Sequence, residues 1–212
     1  KIAGGHAGLL TGPDGATHQA LEDIAITRVL PYLSVIVPCD AIEARKATLA
    51  MAMTNDPTYI RLSREPMPTM TTQQTPFILG KAQVWSEGSD ITIIGCGPIL
   101  YEVMQAKQLL ENLRVSVEVI NLSTIKPLDV KTIVASVKKT GCVVTVEDHQ
   151  VIGGMGSAVA ETLSQHFPVP MEMIGVHDTF GQSGTAKELY THYGLTASHI
   201  VKAVVNCVKR KG

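Results

Sequence analysis

Between His6 and Gln19 the chain reads HAGLLTGPDGATHQ, a glycine-rich stretch holding two imidazoles, His6 and His18, and one carboxylate, Asp14. These groups are too far apart for one helical face. Gly12 and Gly15 supply tight-turn freedom and Pro13 fixes φ, so a loop can bring all three into one small volume. A histidine gives or takes a proton near neutrality, and a neighbouring carboxylate orients and tunes it. That kit suits chemistry on hydroxyls. The competing reading is a solvated turn in which Asp14 and Thr17 make only local bonds.

The elements that must position this loop can be read from the pattern around it. A strand from Lys1 running into Gly4-Gly5 would deliver His6 to the carboxyl end of a sheet, where open α/β sheets place their ligands. A helix is predicted from Gln19 to Leu30, with Leu21, Ile24, Ala25 and Val29 inward and Pro31 as its stop. Val35-Ile36-Val37 reads as a short buried strand. Asp40 caps the next helix, with Glu43 completing a capping box and Ile42, Leu49 and Met53 as its apolar stripe. Asn55-Asp56-Pro57 ends it, and Tyr59 to Leu62 is a strand with Ser63-Arg64 just beyond. This alternation is the rhythm of a parallel sheet.

Glu65 to Pro76 holds three prolines, four threonines and two glutamines without periodicity, which reads as a linker. A strand or strap over Phe77 to Val84 then opens a second α/β series. Its expected strands are Ile91 to Ile94, Val115 to Ile120, Cys142 to Glu147 and Met171 to Val176. Its expected helices run from Ile99 to Leu113 with Val103, Ala106, Leu110 and Leu113 inward, from Asp129 to Lys139, and from Gly153 to His166. Two more close the chain, Thr185 to Tyr193 and Ser198 to Lys209. Asp129 and Gly141 bracket the second helix of this series as cap and stop. The predicted organisation is residues 1–65 as an incomplete parallel-sheet domain, a linker over 66–80, and a layered α/β/α domain over 81–212.

The 212 residues are enough for two small cores, and 18 basic against 19 acidic side chains give no broad handle for nucleic acid or an anionic membrane. Charged residues make up 17%, below the roughly 25% of an average globular chain, which points to surface covered by another subunit. No apolar run approaches the roughly 20 residues of a membrane helix. Cys39, Cys96, Cys142 and Cys207 are widely spaced and sit in apolar segments, which reads as structural thiols in a reducing, cytoplasmic setting. The chain opens at Lys1, already inside an expected strand, which predicts residues upstream.

With the loop at a sheet's mouth, GPDGATHQALED, RVLPYLSVIVPCD and YIRLSRE together resemble the pyrimidine-binding domain of transketolase, a thiamine-diphosphate enzyme. VEDHQVIGGMGSAVAE and GVHDTFGQSGTAKEL are similar to its carboxy-terminal domain. The likeness runs the length of the chain. It is nearest to the form in which transketolase is split into two polypeptides, this being most of the carboxy-terminal one.

That resemblance implies roles. His6 and Arg64 match the residues gripping the phosphate of a sugar phosphate, an arginine fork beside an imidazole. Asp14 matches the aspartate reading a substrate hydroxyl, and His18 the histidine that shuttles a proton at the ketose end. Gln19 and Arg28 match family positions of supporting character. The implied activity is transfer of a two-carbon ketol unit between sugar phosphates, in the pentose phosphate pathway. Thiamine diphosphate and a divalent metal such as Mg are implied as cofactors, both held by a partner chain or domain. The family glutamate and stacking aromatic that meet the cofactor's pyrimidine ring lie upstream of Lys1, and no Gly-Asp-Gly and Asn metal motif occurs here. The chain alone is therefore expected to be inert and to work in a dimer or other homo- or hetero-oligomer.

Rival readings are a deoxyxylulose-phosphate synthase, whose comparable loop lacks a histidine at the His6 position, and the β subunit of a 2-oxo-acid dehydrogenase, which lacks THQ. A third is a non-catalytic assembly subunit. Gly95-Cys96-Gly97-Pro98 is no dinucleotide turn, because Leu100 replaces the third glycine. Gly153-Gly154-Met155-Gly156 reads as close packing rather than an anion site. Glu147-Asp148-His149 is expected to serve contacts between domains and subunits, and His177 and Asp178 to cap the next element of the chain.

Overall fold

A computed structural model describes residues 1–211. Its strands are β1 (Ile2–Gly4), β2 (Ser34–Ile36), β3 (Thr58–Arg61), β4 (Gln83–Ser86), β5 (Ile91–Gly95), β6 (Val117–Asn121), β7 (Thr124–Lys126), β8 (Val143–Gln150) and β9 (Met171–Val176). They form two sheets. The first has the order β1-β3-β2-β7, because β7 leaves the second series and pairs antiparallel with β2. The second runs β4-β6-β5-β8-β9, parallel except at β4. The chain is thus a mixed rather than purely parallel α/β structure.

The helices are α1 (Asp23–Arg28), α2 (Ala41–Ala52), α3 (Leu100–Asn112), α4 (Val130–Thr140), α5 (Met155–His166), α6 (Ala186–His192) and α7 (Ala197–Lys209). On β5 the fully buried Ile91 and Ile93 face α3 and α7, whereas Ile94 faces α4 and α5. That alternation is why a strand covered on both faces reads as a continuous apolar run. Asp129 caps α4 by accepting from Thr132 N, and Gly141 ends it in the left-handed region at φ 74°.

Several expectations need correcting. The helix expected from Gln19 begins only at Asp23, because the Gln19 amide and the Ala20 and Leu21 carbonyls bond to other segments. Asp40 does cap α2, yet the Glu43 side chain reaches Cys39 N at 2.7 Å and Asn121 at 2.8 Å instead of closing a capping box. This turns Glu43, Ala47 and Met51 inward and leaves Leu49 and Met53 exposed. Leu113 is likewise exposed, past the end of α3. The stretch after Glu65 is tied down at Asp40, whose carboxylate accepts from Met70 N and Thr71 N.

One apolar cluster joins Leu9, Leu10, Leu21 and Cys39 to residues of β5, β6, β8, α3, α6 and α7. The loop that carries His6 and Asp14 is therefore rooted in the core of the second sheet. Among the described residues no helix is long and apolar enough to cross a membrane.

Candidate functional site

Parallel pairing sets the first two members of the site. Gly4 on β1 is in register with Arg61 on β3, and the pairing continues past the strands as Leu62 N donates to Gly4 O at 2.7 Å and Ala7 N to Leu62 O at 3.1 Å. His6 and Arg64 thus leave neighbouring strands at the same carboxyl end of the sheet. His6 itself takes φ 57°, an unusual left-handed position for a residue with a side chain. Its carbonyl accepts from the Thr11 hydroxyl at 2.6 Å.

From Leu9 to Asp14 the chain forms a 3-10 helix kinked at Gly12, φ 70° and ψ −127°. Gly15 comes next at φ 78°, and the turn closes with His18 N donating to Gly15 O at 3.0 Å. The kink is what returns Asp14 to the sheet end. There its carboxylate meets the Arg64 guanidinium at 2.7 Å, both side chains about one third exposed or more. Arg64 Nη1 also lies 3.4 Å from Thr11 O.

The Arg64 guanidinium holds the Asp14 carboxyl below the usual carboxylate range, and His18 and His6 act on it in the same direction. Asp14 in turn raises Arg64. Asp14 is thus the exposed acid on which the guanidinium and both imidazoles act. His18 Nδ1 lies 2.9 Å from the Thr17 hydroxyl, which leaves Nε2 as the free ring nitrogen. Either ring nitrogen can carry the proton, so Nε2 can donate to or accept from a hydroxyl.

Supporting positions also find partners. Gln19 donates to Gly12 O at 3.2 Å and to Gln182 O at 3.0 Å, tying the kinked loop to the segment after β9. Arg28 donates to Gly153 O at 2.7 Å and pairs with Glu161. Neither bonds to Asp14 or Arg64.

The other motif candidates are structural. Met155 N and Gly156 N, at the start of α5, both donate to the buried Glu147 carboxyl group, at 2.7 and 2.8 Å, so that helix terminus is already filled by a side chain of this protein. Gly97, at φ 75°, packs against Val37. Asp178 caps no helix: its N donates to the Gln150 side chain, and Thr185 with Glu188 caps α6. The four cysteines are free and buried.

A second, buried constellation surrounds Arg61; sequence reasoning singled out Asp148 and His149 but missed Arg61, Asp23 and Tyr59. Arg61, 5% exposed, grips Asp23 through Nε at 3.0 and 2.9 Å and donates from Nη2 to Ala20 O and Asp148 O, both at 2.9 Å. Tyr59 donates to the same Asp23 carboxylate at 2.7 Å. His149 Nε2 accepts from Ile24 N at 3.1 Å, while Nδ1 faces Gln150 O at 2.7 Å. The signal was present: an arginine between Ile60 and Leu62 in a buried strand must find counter-charge nearby.

A divalent metal with a diphosphate has no cradle in this set. The loop offers one carboxylate, already bonded to a guanidinium. Among the described residues no group of three or more His, Cys, Asp or Glu side chains is placed to hold a metal ion. Imidazole and guanidinium donors of this kind bond to anions, and a carboxylate accepts from hydroxyls.

Comparison with known proteins covers both halves of the chain. The family model of the transketolase pyrimidine binding domain matches residues 1–69, and that of the transketolase C-terminal domain matches residues 80–200. A 6-deoxy-6-sulfo-D-fructose transketolase subunit from Clostridium sp. (strain MSTE9) is 38% identical over 211 residues, covering 100% of this chain and 66% of that protein. An apulose-4-phosphate transketolase subunit from Phocaeicola vulgatus is 37% identical, covering 99% and 67%. The chain therefore spans about two thirds of the length of these curated relatives. A solved structure described as a split gene transketolase, inactive beta4 tetramer, superposes with a TM-score of 0.93 at 41% identity, covering 100% of this chain and 67% of that one. With both of its halves matched in order, the chain belongs to the transketolase family.

Proposed function

We propose that this chain is the carboxy-terminal part of a thiamine-diphosphate-dependent transketolase and moves a two-carbon ketol unit between sugar phosphates. The observation that carries the reading is the exposed Asp14–Arg64 pair at 2.7 Å, flanked by His6 and His18. His6 and Arg64 bind the phosphate, the guanidinium exchanging part of its bond with Asp14 for phosphate oxygens. Asp14, held ionised, accepts from a sugar hydroxyl, so a ligand lacking that hydroxyl leaves it unpaired. His18 Nε2 takes the proton released from a hydroxyl as the carbon bond beside it breaks, and returns it when the new bond forms. Thiamine diphosphate, when bound by the partner chain, supplies the electron sink for that cleavage.

The partner also holds the divalent metal. Two of the relatives are named as subunits, and the similar solved structure is a tetramer of a split gene transketolase, which supports an oligomeric enzyme of two polypeptides. The four free thiols fit the reducing cytoplasm as its setting. Residues 1–65, 66–80 and 81–212 serve as pyrimidine-binding part, connecting strap and carboxy-terminal domain.

With the residues upstream of Lys1 in place and mixed with a chain carrying the diphosphate-binding domain, the full-length protein is expected to transfer a ketol unit from xylulose 5-phosphate to ribose 5-phosphate. Arg64→Ala should raise the KM for ribose 5-phosphate about tenfold or more while changing that for glycolaldehyde little. Equal losses on both acceptors would remove Arg64 from the phosphate clamp.

A further inference from the structure

The site loop is held from several sides. From Gly5 to Thr17 it bonds to the chain just past β3 through Ala7 N, to Ala20 O through Gly8 N at 2.9 Å and to the Gln19 side chain through Gly12 O at 3.2 Å, and its path depends on left-handed conformations at His6, Gly8, Gly12 and Gly15. At its turn the anchor is a residue distant in sequence. The Asp148 carboxylate, near the end of β8 and 4% exposed, accepts from Leu9 N at 3.0 Å through Oδ1 and from the Tyr190 hydroxyl at 3.2 Å through Oδ2.

The adjacent glycine leaves no room for a side chain. A Cβ added to Gly8 would stand 2.3 Å from Asp148 Oδ2, and Gly8 sits at φ 81°. Only a glycine lets the backbone turn there against a carboxylate.

We infer that Asp148 is a positioning residue of the substrate site: through Leu9 N it fixes the loop turn from which His6 and Asp14 are aimed at Arg64. The path is short. Leu9 N is pinned by Asp148, Thr11 N donates to Gly8 O at 3.2 Å, the Thr11 hydroxyl holds His6 O at 2.6 Å, and Arg64 lies beside Thr11 O. The carboxylate is itself held in place, with Arg61 donating to the Asp148 backbone carbonyl at 2.9 Å and Tyr190 donating from α6. Burial pushes its pKa up, and the nearby Arg61 charge and the Leu9 and Leu10 amides oppose that push. A hydrophobic residue of similar size would fill the space but present no acceptor to Leu9 N. The second α/β layer thereby gains a role in substrate recognition without touching substrate.

This inference rests on the phosphate-clamp reading above, and the test separates the two. Asp148→Asn keeps an acceptor oxygen for Leu9 N and a polar group for Tyr190. Asp148→Leu keeps the volume and removes both. In the ligand-free chain, imidazole and amide resonances of His6, Leu9 and Thr11 in heteronuclear NMR are expected to move in Asp148→Leu and to stay near wild type in Asp148→Asn. Ribose 5-phosphate titrated into the same samples, with ribose as control, should bind Asp148→Leu about tenfold more weakly than wild type, and Asp148→Asn within about twofold.

Unmoved His6 and Thr11 resonances in Asp148→Leu, with only a lower melting temperature, would overturn the inference and leave Asp148 a packing residue. So would Asp148→Asn failing as badly as Asp148→Leu while staying folded, because the carboxylate charge rather than the acceptor would then matter. If wild type and Arg64→Ala bind ribose 5-phosphate alike, the clamp reading fails. The ligand-free resonances still decide whether Asp148 sets the loop.

Discussion

Two constellations of acid, imidazole and guanidinium occur in this chain, one exposed and one buried. The exposed one, His6, Asp14, His18 and Arg64, stands in solvent with one ion pair at 2.7 Å. The other, Asp23, Tyr59, Arg61, Glu147, Asp148 and His149, is almost wholly buried, with partners for each group. Residue types alone do not separate them. The number of bonds already made does: the buried set is saturated, and the exposed set keeps donors and acceptors for something else. Saturation marks a scaffold and spare valence marks a site.

The largest expected effect tests the buried set. Arg61→Met leaves Asp23 without its counter-charge and removes a donor from two carbonyls. It should cost about 3–5 kcal/mol in denaturant unfolding, and a loss under about 1 kcal/mol would mean that the set is not a scaffold. Next comes the exposed set. His18→Ala should lower turnover about a hundredfold in the reconstituted enzyme with KM and cofactor affinity little changed; a larger effect on affinity would reassign His18.

The pH dependence of stability is expected to come from the buried set. Burial raises Glu147 from 4.5 to about 8, so its contribution is complete below 4.5 and is lost as pH climbs toward 8. Burial lowers His149 from 6.5 to about 4, so its contribution is complete above 6.5 and is lost as pH falls toward 4. The two oppose each other between 4.5 and 6.5, and from 6.5 to 8 the carboxyl acts without the imidazole. Thermal unfolding should therefore show stability declining across the upper window. Glu147→Gln should flatten that decline, and an unchanged slope would mean that the carboxyl is ionised in the fold. The smallest effect expected is on the stability of Arg64→Ala, whose melting temperature should match wild type because exposed pairs contribute little.

Much of this was legible in sequence, for reasons that differ by element. Asp129 and Gly141 fix α4 because a cap and a left-handed stop act locally. Ile91 to Ile94 reads as a buried strand from its own composition. The loop's glycines, His6, Asp14 and His18 are visible because their types and spacing are unusual for an element interior.

The hidden features depend on distant partners. The inward face of α2 is set by Glu43 bonding to Asn121, far away in the chain, and no periodicity in α2 records that. The late start of α1 reflects Ala20 and Leu21 surrendering their carbonyls to Arg61 and Gln150. The three-residue β7 has too little pattern to register, yet it fills a sheet position.

That short strand has a consequence for how the chain assembles. The first sheet ends on residues 124–126, and the loop's leucines insert among side chains from the second sheet's helices. A fragment stopping before residue 80 would therefore lack both its last ladder and the wall against which Leu9 and Leu10 pack. The two halves are therefore expected to melt as one cooperative unit, and neither is expected to fold when cut from the other.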